Sequence, residues 1–158
     1  MTTTTLDVGH KAPVFSLANQ DGKNVSLNDF QGKWVVLYFY PKDDTPGCTK
    51  EAIDFSELLS EFTLNDAVVL GVSPDPQQSH QKFKAKHGLT VQLLSDPEHA
   101  ALEQYGVWKE KNKFGKKYWG VERTTFLLDP QGVIRQVWDT VKVEGHAKQV
   151  VESLCGLK

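Results

Sequence analysis

Cysteine is scarce in this chain, methionine scarcer still, and no hydrophobic run is long. Its 158 residues include 2 cysteines, Cys48 and Cys155, and 1 methionine. Two thiols so far apart exclude a secreted disulfide framework, and a zinc cluster would need closely spaced cysteines or histidines. The longest apolar run, Trp34 to Tyr40, falls far short of the roughly 20 residues that cross a bilayer. No sign of charge dominates either: 18 basic and 20 acidic residues leave a formal net charge of -2. Nucleic-acid and anionic-membrane binders carry a basic excess or stripe, so neither partner is expected. The lysines of "WKEKNKFGKK" read as a solvated loop. The opening "MTTTTLDVGH" lacks the basic and apolar regions of a secretory signal, and a cytoplasmic protein is expected. The histidines at positions 10, 80, 87, 99 and 146 lie in polar segments and read as surface residues.

The length suits one domain, residues 1–158, with residues 1–5 frayed. "PVFSLANQDGKNVSL" alternates apolar and polar residues around a turn, which predicts a hairpin. "KWVVLYFYP" is continuously apolar, the pattern of a strand buried on both faces, and Pro41 ends it. "TKEAIDFSELLSEF" spaces Ala52, Phe55, Leu58, Leu59 and Phe62 for an amphipathic helix. A second buried strand, "AVVLGVS", precedes a helix that closes on Gly88. A short strand at "VQLLSD" and a helix over "PEHAALEQYG" follow. "TTFLLDPQGVIRQVW" predicts another hairpin, and "GHAKQVVESLCGLK" a terminal helix. Alternating units of this kind build an α/β sheet flanked by helices. A βαβ core closed by ββα, behind an N-terminal β-hairpin extension, resembles the thioredoxin-like fold.

The densest chemistry lies in "YPKDDTPGCTKEA". Thr45 can be an N-cap, with Pro46 and Gly47 opening the helix and Cys48 in its first turn. Free N–H groups and the positive dipole end favour an anion there, and so the thiolate, the nucleophilic form of cysteine. Gly47 keeps side chains off the approach to the sulfur. The bland reading is a small buried thiol that fills space.

Pro41, Thr45 and Cys48 fit the pattern P-x-x-x-T-x-x-C, and "PKDDTPGCTKEA" as a whole resembles the peroxiredoxins of the bacterioferritin comigratory protein, or peroxiredoxin Q, branch. "GVERTTFLLDPQGVI" is similar to the strand that carries the catalytic arginine of that family. The resemblance implies a peroxidatic Cys48 that attacks a hydroperoxide and becomes a sulfenic acid. It implies that Arg123 holds the thiolate and the peroxide oxygens, that Thr45 aims its hydroxyl at the peroxide, and that Pro41 screens the sulfur. The N–H groups of Gly47 and Cys48 would complete the substrate cradle. No metal, flavin or haem is implied. Hydrogen peroxide and small organic hydroperoxides are the expected substrates, in antioxidant defence and redox homeostasis.

The chain departs from its branch at the resolving cysteine. Ile53 stands where many members carry one, and "QKFKAKHG", the other usual place, has none. Cys155 is either a packing or surface residue or an unusual resolving cysteine. The first reading implies a one-cysteine mechanism with a small thiol or glutaredoxin as reductant; the second suits thioredoxin. A thioredoxin-type exchanger would want a Cys-x-x-Cys pair, and a cysteine hydrolase a histidine in the motif segments. A non-catalytic binding or chaperone module would not need Pro41, Thr45, Cys48 and Arg123 together. A monomer is expected, although Trp108, Tyr118 and Trp119 could line a dimer face.

Overall fold

A computed structural model describes residues 6–158; the stretch read as frayed lies outside the described residues. The predicted first hairpin forms as β1 (Ser16–Asn19) and β2 (Asn24–Ser26). The apolar run becomes β3 (Trp34–Phe39), every residue of it buried. The second run becomes β4 (Ala67–Ser73), and the short one β5 (Gln92–Ser95). The last hairpin is β8 (Thr124–Leu128) and β9 (Ile134–Trp138). One seven-stranded sheet holds them in the order β2-β1-β5-β4-β3-β8-β9. β3, β4 and β5 run parallel, and the flanking β1 and β8 run antiparallel to them. The mixed sheet flanked by helices is the thioredoxin-like fold.

Period-two alternation splits the core into two layers. Val35, Leu37 and Phe39 face one side, with Phe126 and Tyr105. Val36 and Tyr38 face the other, where Phe55, Phe62 and Cys48 pack. Gly71 sits directly beneath Tyr38: a Cβ there would come within 2.6 Å of the tyrosine ring. A glycine in the interior of a buried strand is explained by that close approach.

The long helix predicted after Cys48 is two helices, α1 (Pro46–Glu57) and α2 (Leu59–Leu64). Leu58 has left the helical basin at φ -95° and ψ 3°. α3 (Gln77–His87) ends on Gly88 in the left-handed conformation, a glycine C-cap as expected. α4 (Ala100–Gln104) is shorter than predicted, because His99 adopts φ 63° and the helix can begin only after it. α5 (His146–Leu157) closes the chain.

Two expectations need correction. "WKEKNKFGKK" is no loop: it runs from β6 (Trp108–Lys113) into β7 (Lys116–Val121), an antiparallel ribbon of its own. Its aromatic residues hold it, with Trp108 stacked on His99 at 3.9 Å and on Trp119 at 6.5 Å. The ribbon is mostly exposed and leaves Tyr118 and Trp119 facing solvent. The histidines are not all surface residues either. His80 and His146 are buried, each satisfied by hydrogen bonds that composition could not foretell.

Candidate active site

β3 ends beneath the loop from Pro41 to Thr45, and α1 starts immediately after it. Pro46 occupies the first turn of α1, where a missing N–H costs nothing. The first backbone bond of the helix runs from the Thr49 N–H to the Thr45 carbonyl at 2.8 Å. A helix start leaves its earlier N–H groups without intrahelical partners, so those of Gly47 and Cys48 are free to meet an anion. Cys48 lies in this turn, 1% exposed.

Arg123 reaches the sulfur from the short link between β7 and β8. Its Nη2 donates to Cys48 Sγ at 3.2 Å. A Cβ on Gly47 would stand 3.2 Å from the same Nη2, so the glycine makes room for the guanidinium as well as for a ligand. Nη1 donates to Glu51 Oε1 at 2.6 Å. The fork thus bridges one anion-forming sulfur and one carboxylate, a division of labour that lysine's point charge cannot copy.

Glu51 was not singled out by the sequence reading. It stands one turn after Cys48 on the same helical face, which is the spacing that could have revealed it. Burial pushes its carboxyl up to about 7, against the opposing pull of Arg123. Burial works against the charge on Arg123, but Glu51 and Cys48 outweigh it and hold the guanidinium more firmly protonated than usual. Glu51 Oε2 and the Tyr38 hydroxyl are both buried without a partner. Burial, reinforced by Glu51, keeps that tyrosine protonated.

Thr45 holds the N-cap position, but its hydroxyl does not cap the helix. Instead Oγ1 donates to the Lys42 carbonyl at 2.8 Å, so its lone pairs remain free to accept. Pro41 is half-buried at the end of β3. Four of the expected residues, Thr45, Gly47, Cys48 and Arg123, therefore meet at one helix end, with Pro41 at the start of the loop that leads to it. Cys155 does not join them. It lies on the exposed side of α5, whereas Cys48 is buried, and both are free thiols.

A family model described as the AhpC/TSA family matches residues 8–137. The chain belongs to that family. Peroxiredoxin Bcp of Bacillus subtilis is 49% identical over 150 residues, covering 95% of this chain and 96% of that protein. A structure of Xanthomonas campestris Peroxiredoxin Q superimposes with a TM-score of 0.88 at 44% identity, over 98% of each chain. The bacterioferritin comigratory protein of the same organism, studied for its alkyl peroxide reduction, superimposes at 0.86 with 46% identity over 90% of each chain. These relatives put the chain among the Bcp and peroxiredoxin Q enzymes, which are thiol-dependent peroxidases.

Proposed function

We propose that the protein reduces hydrogen peroxide and small alkyl hydroperoxides through Cys48, by a one-cysteine route. The observation that carries the reading is the 3.2 Å contact from Arg123 Nη2 to Cys48 Sγ at the open end of α1. A thiolate held there attacks the terminal peroxide oxygen. An S–O bond forms as the O–O bond breaks. The electron pair leaves with the second oxygen, which takes up a proton and departs as water or an alcohol. Sulfur is oxidised to the sulfenic acid.

Each neighbour has a task in that step. Arg123 and the N–H groups of Gly47 and Cys48 face the charge that shifts from sulfur to the leaving oxygen. Thr45 Oγ1, its own proton committed to Lys42, accepts from the peroxide hydroxyl and so orients it. Pro41 shields the sulfur from bulk water. The thiolate itself supplies the electron pair, and the peroxide accepts it.

Reduction then takes two thiols. The first attacks the sulfenic sulfur, giving a mixed disulfide and water; the second releases Cys48 and leaves a disulfide of the reductant. The exposed setting of Cys155, set against a buried Cys48, supports an outside thiol in the first role. A small thiol or glutaredoxin suits that path better than thioredoxin. A reducing compartment such as the cytoplasm, which keeps free thiols reduced, suits it as well, and a monomer is sufficient. Cys48→Ser should abolish peroxide consumption under any reductant; retained turnover would contradict the reading.

A further inference from the structure

The loop that delivers Cys48 contains two adjacent acids, Asp43 and Asp44, and α3 captures both. The Asp44 carboxylate accepts from Lys86 Nζ at 2.7 Å and contacts His87 Nε2 at 2.8 Å. Asp44 itself has φ 59°, a conformation that needs holding in a residue other than glycine. Asp43 is buried. Its carboxylate accepts from Tyr40 Oη at 2.6 Å and Ser79 Oγ at 2.7 Å, and lies 2.7 Å from His80 Nδ1. The Asp43 N–H donates to Asp75 Oδ2, which also accepts from Ser73.

The far nitrogen of His80, Nε2, faces the Leu94 carbonyl at 2.9 Å. A carbonyl can only accept, so that nitrogen carries a proton. Tyr40 donates its own proton, since burial and the Asp43 charge keep the hydroxyl protonated. The remaining link, His80 Nδ1 to Asp43 Oδ2 at 2.7 Å, is buried along with His80 itself, which is 0% exposed. Asp43, Asp75 and His80 bring ligand-type atoms within 4.8 Å of one another. Asp43 Oδ2, His80 Nδ1 and Asp75 Oδ2 already serve protein partners, which makes the cluster a hydrogen-bonded hub.

We propose that α3 clamps the peroxidatic loop, and that His80 is a positioning residue for the reaction of Cys48 with peroxide although it touches neither sulfur nor substrate. The hub fixes Asp43. The chain then has only Asp44 and Thr45 before α1, and the Thr45 hydroxyl is already tied back to Lys42. The place of the Gly47 and Cys48 N–H groups relative to Arg123 follows from the grip on that loop. Misplacing a reacting group by about 1 Å can cost roughly a hundredfold in rate. The proposal rests on the peroxidase reading of Cys48.

The test uses the reduced full chain and two reactions of the same sulfur. Peptide-level mass at Cys48, which keeps the exposed Cys155 apart, follows oxidation by hydrogen peroxide and, separately, alkylation by iodoacetamide, which needs no cradle. His80→Asn keeps a donor near the Nδ1 position and loses the bond to Leu94; His80→Gln can reach Leu94 but releases Asp43. The clamp predicts that His80→Gln slows peroxide oxidation roughly ten- to a hundredfold with alkylation equal or faster. His80→Asn should restore the peroxide rate to near wild type. Equal peroxide rates in the two variants, or peroxide and alkylation rates falling together, would overturn it. If His80→Gln does not fold, Asp44→Asn opens the exposed arm alone: the clamp predicts about a threefold slower peroxide step, and no change refutes it. A wild-type protein that is alkylated at Cys48 yet inert to peroxide would instead sink the peroxidase reading, and the clamp with it.

Discussion

Gly47 and Arg123 share one space: a Cβ built on the glycine would lie 3.2 Å from Nη2, the nitrogen that donates to Cys48 Sγ. Helix stability and catalysis therefore pull in opposite directions at residue 47. Alanine is the better helix former by up to about 1 kcal/mol, but its methyl group pushes against the guanidinium.

Gly47→Ala should accordingly unfold at the same temperature as wild type or slightly higher, while its rate of oxidation by peroxide falls about tenfold. Thermal unfolding and stopped-flow oxidation of the same preparation would show the divergence. An unchanged rate would mean that Arg123 does not depend on the space left by Gly47.

Glu51 predicts a pH effect on rate. Its carboxyl is raised from 4.5 to about 7, by burial first and against Arg123. Above that value the carboxylate anchors Nη1 as a charge-assisted partner; below it the anchor weakens and the guanidinium loses its fixed orientation. The rate constant for peroxide should fall as pH drops through about 7. Glu51→Gln should lack this inflection and run slower than wild type at pH 8. A variant with the full wild-type pH profile would remove Glu51 from that role.

His146 predicts a pH effect on stability. It is buried, Nε2 lies 2.8 Å from Thr125 Oγ1, and its ring meets Phe55 and Trp138 edge-on. Burial, aided by Arg123, lowers its pKa from 6.5 to about 4. A base whose folded pKa is depressed binds fewer protons when folded than when unfolded. Its contribution is intact above 6.5 and is lost as pH falls from 6.5 toward 4. The midpoint of thermal unfolding of His146→Gln should vary less over that interval than that of wild type. Parallel curves would assign the acid sensitivity to other groups.

How much of this was legible in sequence depended on the range of the interaction. β3 was plain because it is buried on both faces, so its composition alone announces it. Cys48, Thr45 and Gly47 were plain because one local turn holds them. Arg123 needed its matching segment, since an arginine between Glu122 and Thr124 looks like any surface residue until the sheet brings it to α1. The hub at Asp43 was not legible: Tyr40 and His80 are 40 positions apart and meet only once α3 has packed on the sheet. The ribbon of β6 and β7 was missed for a different reason. Its lysines suggested a solvated loop, while its strands rest on a stack of His99, Trp108 and Trp119 that charge patterning does not register.

The central claim is that Cys48 carries the oxidation and that an outside thiol reverses it. Intact mass under non-reducing conditions tests this most directly, after reduced protein is mixed with one equivalent of hydrogen peroxide and a sulfenic-acid trap. The account predicts a gain of one trap molecule at Cys48, both in wild type and in Cys155→Ser. A loss of two hydrogens within one chain, or a disulfide between two chains, would contradict the one-cysteine route and make Cys155 the resolving residue. A chain whose mass does not change within seconds would contradict the peroxidase reading itself.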